Sequence, residues 1–339
     1  MRTQHALSGL FLSISFLLPL LSADAAWLAA QLLHSLCPVH LALAAHLEAW
    51  AWRRWESSSG STPSAPLPVP EVAADTDTET VDLRRPFIVR GLLNSSAALT
   101  DGGAWLRTSP VGRLEVPFYS NASNGALRPD SSGALTDIVA DIEAGGPQKL
   151  GTELVFRRHP ELLDQLGLAT PLARLFGSGP FATWRIGKTL TVPLFLGTGS
   201  TVGAAVRTDL HSEPIGSATL QLAGSKVWTL APGSESRRLR PSVAADGRAF
   251  YRTLRAHGAD GRDALAASGA AHFEVEQRPG DVLWVPTWTW HRVDYLPGVT
   301  ALSVSLFHLR AEQLAGLQPI LTVAVLPALF KELIGWKTQ

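Results

Sequence analysis

The spacing of apolar positions changes several times along the chain, and those changes divide it. Arg2 and His5 form a weakly basic start, Leu10 to Leu21 is a mostly apolar run, and Ala23-Asp24-Ala25 is a small-x-small site. Residues 1–25 thus have the layout of a secretory signal peptide or a signal anchor. Residues 26–56 carry Trp27, Leu28, Leu32, Leu33, Leu41, Leu43 and Leu47 at roughly helical spacing, with Pro38 interrupting, and predict a helical segment. The segment ends in Trp50, Trp52 and Trp55 around Arg53 and Arg54, a pattern suited to capping a domain or to lying on a membrane surface. Residues 57–80 are rich in Ser, Pro, Thr and acidic residues without apolar period, and read as a flexible linker.

From residue 81 the pattern tightens. Pro86 to Gly91 is a short buried strand entering a turn. Leu135 to Ala144 is an amphipathic helix stopped by Gly145-Gly146-Pro147, and Pro160 to Leu168 is a second helix. After Gly179 come short apolar runs divided by Gly and Pro: Leu190 to Leu196, Ala218 to Leu222, Val227 to Leu230, Val282 to Pro286 and Thr300 to Phe307. Strands of that length and spacing predict a β-sandwich or barrel, so residues 81–310 form a mainly β domain with flanking helices. Ala244 to Ala270 reads as a partly helical insertion. Residues 311–339 form a C-terminal apolar helix; its run from Leu314 to Phe330 is broken by Gln318 and Pro319. A packed or dimerising helix, giving a homodimer, is expected there ahead of a transmembrane tail.

Composition narrows the function classes. Hydrophobic residues make up 46% of the 339 positions and charged residues 17%, which is enough to bury a sizeable core. The 29 basic and 29 acidic side chains cancel, so no nucleic-acid partner is expected. Cys37 is the single cysteine, which rules out an intramolecular disulfide. Asn94-Ser95-Ser96 and Asn121-Ala122-Ser123 fit the glycosylation pattern and accord with a secretory route, in the lumen, at the membrane or outside the cell.

The chemistry concentrates in Thr208-Asp209-Leu210-His211-Ser212-Glu213. Histidine and glutamate two apart on a strand share a face. An imidazole and a carboxylate there are two thirds of a facial triad for non-haem iron. His291 is the candidate second imidazole; it follows the turn Pro279-Gly280-Asp281 and the apolar run Val282-Leu283-Trp284-Val285-Pro286. Between the ligands, Gly224-Ser225-Lys226-Val227-Trp228 places a lysine at the start of an apolar strand. A buried lysine is costly unless paired, and the distal carboxylate of 2-oxoglutarate is a natural partner.

The stretch from about Arg85 to Leu309 resembles the JmjC/cupin-like oxygenase family, close in pattern to the asparaginyl hydroxylase that modifies hypoxia-inducible factor. The matching pieces are Arg85 through Gly91, the triad segment, Gln221 through Trp228, and Pro279 through His291. The resemblance implies a double-stranded β-helix (jelly roll) with His211, Glu213 and His291 as Fe(II) ligands. It implies Lys226 as the partner of the 2-oxoglutarate distal carboxylate, with Thr208 hydrogen-bonding nearby, and O2 as the second cosubstrate. Glu213 stands where the asparaginyl-hydroxylase type has Asp. Ser217 and Ser305 stand at or near positions where a cosubstrate-contacting Asn is common, and their hydroxyls reach less far. The expected activity is a dioxygenase acting on a protein or peptide, as a hydroxylase ahead of a demethylase. The alternative is a non-catalytic cupin-like module that binds partners in the secretory lumen or at the cell surface. Membrane contact through the N-terminal segment is a further expectation.

Overall fold

The structure, a computed structural model, describes residues 22–36, 41–58, 64–76, 81–101, 103–108, 110–121, 129–168, 188–199, 206–243, 250–253, 256, 258, 260–309 and 311–333. The expected signal segment at Leu10 to Leu21, and Cys37, lie outside the described residues.

The strands in chain order are β1 (Leu67–Pro68), β2 (Glu71–Val72), β3 (Phe87–Val89), β4 (Glu115–Tyr119), β5 (Ser131–Ala134), β6 (Lys149–Thr152), β7 (Lys188–Thr191), β8 (Leu194–Thr198) and β9 (Arg207–Ser212). They continue with β10 (Gly216–Ala223), β11 (Lys226–Ala231), β12 (Pro241–Val243), β13 (Tyr251–Thr253), β14 (Phe273–Gln277), β15 (Val282–Val285), β16 (Trp290–Tyr295) and β17 (Thr300–Leu309). Among the described residues they form a seven-stranded sheet, β1-β14-β11-β16-β9-β13-β12, and a ten-stranded one, β2-β3-β15-β10-β17-β8-β6-β4-β5 with β7 also on β17. From β8 to β11, and again from β14 to β17, each strand lies in the opposite sheet from the one before. That alternation winds a jelly roll, the expected fold.

Burial follows the two faces of each strand. On β10, Ala218, Leu220 and Leu222 point to the outside of the ten-stranded sheet. There they join Trp284, Leu302, Val304 and the apolar face of helix α3 (Leu135–Glu143). The opposite face of β10 carries Ser217, Thr219 and Gln221 toward the other sheet. Between the sheets lie Val206, Trp228, Leu230, Leu283, Val285, Val293 and Tyr295. So the inter-sheet space is apolar in part and lined by hydroxyls and lysines elsewhere.

Helices α1 (Ala23–Leu36) and α2 (Leu41–Ser58), with the C-terminal helix (Pro319–Leu333), close the seven-stranded sheet. Trp27, Leu43, Leu47 and Trp55 pack with Trp288, Trp290, Tyr251 and Leu321. Two buried polar side chains there are paired. The Trp27 indole donates to the Pro241 carbonyl (2.8 Å), and the Gln31 amide bridges Glu48 (2.8 Å) and the Val243 backbone N–H (2.8 Å). On the outward side of that C-terminal helix, Val323, Leu326 and Phe330 form an exposed apolar stripe. No helix among the described residues is long and apolar enough to cross a membrane.

The region read as a linker differs from that expectation at its centre. Leu67–Pro68 pairs in parallel with β14 and Glu71–Val72 with β3, so this stretch is strapped to both sheets. The attachment is made by backbone groups and by Val69, while Leu67, Pro68 and Glu71 face solvent, so no apolar period marks it.

Candidate metal centre

The predicted triad comes together. His211 on β9 and His291 on β16 are direct cross-strand partners, with ring centroids 4.1 Å apart. Glu213 follows the end of β9, its carboxylate 3.9 Å from the His211 Nε2. One ligand atom from each of His211, Glu213 and His291 lies within 4.8 Å of the other two, close enough to hold one metal ion.

Second partners fix both rings. The Nδ1 of His211 lies 2.8 Å from the Asp209 carbonyl, and that of His291 lies 3.0 Å from the Thr289 carbonyl. A carbonyl only accepts, so each Nδ1–H donates and the ring nitrogen without a proton is Nε2, the tautomer a metal requires. Burial pushes the His291 imidazole down to about 4, against the opposing effect of its bond to Thr289, so the ring is neutral at physiological pH. Phe250 meets the His211 ring edge-on at 6.1 Å, and Trp228 lies 6.0 Å from that of His291, giving the centre an aromatic wall. Two imidazoles and one carboxylate suit divalent iron, with positions left open for other ligands.

Glu213 is held by its backbone. The Trp288 N–H donates to the Glu213 carbonyl at 3.0 Å, and Trp288 adopts φ 64°, a left-handed conformation rare for so bulky a residue. Its indole is fully buried and donates to the Leu314 carbonyl (3.0 Å), which anchors the turn to the helical cap. Strain of this kind persists where surrounding packing over-determines it, and here it sits between two ligands.

Thr208 reaches the interior through an irregularity. His211 pairs with His291 but Thr208 pairs with Val293, so β9 spends three residues where β16 spends two. This bulge turns Thr208 to the same face as His211, although an odd spacing would put them on opposite faces. On the outer face, Arg207 pairs with Asp209 (2.8 Å) and Arg292 with Asp294 (2.8 Å), while Arg292 also donates to the Gly258 carbonyl (2.6 Å).

Lys226 projects from β11 into the inter-sheet space and donates to the Ser303 hydroxyl at 2.5 Å across the sandwich. It is 2% exposed, and burial followed by the charge of Lys149 pulls its amine down to about 7. Ser305 and Ser217 face the same space from β17 and β10. The Ser305 hydroxyl is 2.8 Å from that of Thr219, and Ser217 pairs in register with Val285 and Phe307.

Three contributors lie outside the sequence motifs. Ser303 shares a strand face with Ser305 two positions on, and alternation alone points to it. Trp288 shows no local sign of a positive φ. Lys149, a lone lysine after Gly145-Gly146-Pro147-Gln148, belongs to no spacing motif, yet from β6 it crosses the sandwich to the Thr208 hydroxyl (2.9 Å).

Comparison with known proteins adds one match. Residues 150–311 fit the family described as a cupin-like domain, a span that takes in β9 through β17 and all three residues of the triad. No curated protein matches the chain. Residues 150–311, which carry most of the strands of both sheets and a His-Glu-His group able to hold a metal, thus match a cupin-like domain.

Proposed function

We propose that this protein is an Fe(II)- and 2-oxoglutarate-dependent dioxygenase that hydroxylates a protein side chain in the secretory pathway. The observation that carries the reading is the triad: His211, Glu213 and His291 converge, with both Nδ1–H groups donating to backbone carbonyls and so setting the tautomer. Bound iron would supply sites for the 2-oxo acid and O2 and the reactivity needed to oxidise an unactivated C–H bond. The net reaction balances: substrate C–H, 2-oxoglutarate and O2 give substrate C–OH, succinate and CO2. Two of the four electrons that O2 accepts come from the C–H bond and two from the decarboxylation.

The chain's own residues bind and orient in this scheme. His211, Glu213 and His291 would hold the metal. Lys226, inside the sandwich and without a carboxylate partner among the described residues, faces the distal carboxylate of the cosubstrate. Trp228 and Phe250 keep the metal side dry. Histidine and carboxylate serve as ligands, so no general base is needed.

The test is metal analysis of protein purified with Fe(II), coupled to succinate release in the presence of O2. His291→Ala is expected to lose both the bound iron and any succinate formation; an active His291→Ala variant would remove His291 from the centre. A second reading, a non-catalytic cupin-like binding module, draws on Ser305, whose hydroxyl is bonded to Thr219 rather than presented to a ligand. Iron retained without succinate formation on any 2-oxo acid would favour that reading.

A further inference from the structure

Two lysines cross the sandwich in opposite directions. Lys226 leaves the seven-stranded sheet to reach Ser303 on the ten-stranded one. Lys149 leaves the ten-stranded sheet to reach Thr208 on the seven-stranded one. Both are almost fully buried, at 2% and 3% exposure, and each ammonium lies over an aromatic ring, Trp228 at 5.0 Å and Tyr119 at 4.3 Å. Neither makes a salt bridge among the described residues. The carboxylates on the adjoining strands are already matched, Asp209 with Arg207 and Asp294 with Arg292.

Burying one ammonium without an anion is costly, and burying two whose charges repel costs more. Both amines are accordingly depressed to about 7, first by burial; the charge of Lys149 lowers Lys226 further, and Arg207 opposes Asp209 at Lys149. The other groups facing the pair are Phe195 from β8, Tyr119 from β4 and Tyr295 from β16; burial and the neighbouring Tyr119 raise the Tyr295 phenol, so it is neutral. Among the described residues no carboxylate bonds to either lysine, and Asp209, whose charge acts on Lys149, is held by Arg207, so the pair suits an anionic ligand.

We propose that Lys149 and Lys226 form a two-lysine clamp on the distal carboxylate of 2-oxoglutarate, with Thr208 and Ser303 as its hydroxyl partners. This rests on the 2-oxoglutarate reading above and extends it: the acidic end of the cosubstrate is recognised by two cations from opposite sheets rather than by Lys226 alone. Filling the clamp draws both amines to the ammonium form, so binding takes up protons near neutral pH and weakens as the pH rises.

The test is calorimetric titration of the full-length protein loaded with Mn(II), which is redox-inert here, with 2-oxoglutarate and with 2-oxobutyrate, which lacks the distal carboxylate. Wild type is expected to prefer 2-oxoglutarate, with proton uptake seen as a heat that depends on the buffer's ionisation enthalpy. Lys149→Met is expected to weaken 2-oxoglutarate roughly tenfold and to reduce the proton uptake, while 2-oxobutyrate binding stays unchanged. Lys149→Arg is expected to recover most of the affinity. If Lys149→Met does not fold, Lys149→Gln, which keeps a hydrogen-bonding end without the charge, is read in the same way. Wild-type affinity and proton uptake in the uncharged variant would overturn the clamp and leave the cosubstrate reading standing. A wild-type protein that binds 2-oxoglutarate no better than 2-oxobutyrate would overturn both.

Discussion

At His291 and the two buried lysines, burial of groups suited to binding works against stability. The neutral His291 ring adds stability above its ordinary value of 6.5, and that contribution is lost as the pH falls toward about 4. Lys149 and Lys226 act in the alkaline window. Their folded-state values near 7 lie below the ordinary 10.5, so between those limits the unfolded chain binds more protons and stability rises with pH. Metal-free Lys226→Met is accordingly expected to melt above wild type near neutral pH, with the gap narrowing toward pH 10 in thermal melts. A gap that does not change with pH would show that Lys226 is not strained by burial. At this scale much of the centre was legible. His211 and Glu213 follow from strand period, and Lys226 from its place before an apolar strand. Lys149 was not, because a lysine's partner across a sandwich leaves no mark in local spacing.

At the scale of elements, the site depends on how β9 and β16 are joined. The bulge that turns Thr208 inward and the Arg207–Asp209 and Arg292–Asp294 pairs all lie along that seam, and Asp209 itself accepts the His211 Nδ1–H. Arg292→Met takes the buried guanidinium away from the partly exposed Asp294, which keeps Arg262 at 4.0 Å, and is expected to cost about 2 kcal/mol in urea unfolding. Its metal affinity should fall as well, through the loosened seam. An unchanged unfolding midpoint would show the pair to be a surface-like ornament. The strands were readable because their Gly and Pro punctuation and apolar runs are strong signals. The bulge was not, since it is set by pairing between strands far apart in sequence. The straps at Leu67–Pro68 and Glu71–Val72 were hidden for a related reason: backbone pairing holds them while most of their side chains face solvent.

At the scale of the whole molecule, the helical cap and the metal centre are one packed unit. Trp27 and Trp55 meet Tyr251, Trp288 and Trp290, and Trp288 in turn holds Glu213. Trp27→Ala is expected to cost about 3 kcal/mol by urea unfolding, and to weaken metal retention although Trp27 lies outside the centre. Loss of stability with metal affinity intact would separate cap from site. The central claim, a facial-triad iron that takes 2-oxoglutarate, is tested most directly by anaerobic titration of the full-length protein with Fe(II) and then 2-oxoglutarate. The account predicts a visible charge-transfer absorption that appears only with both present and is absent in His211→Ala. Iron bound with no such absorption, or an unchanged absorption in His211→Ala, would contradict it.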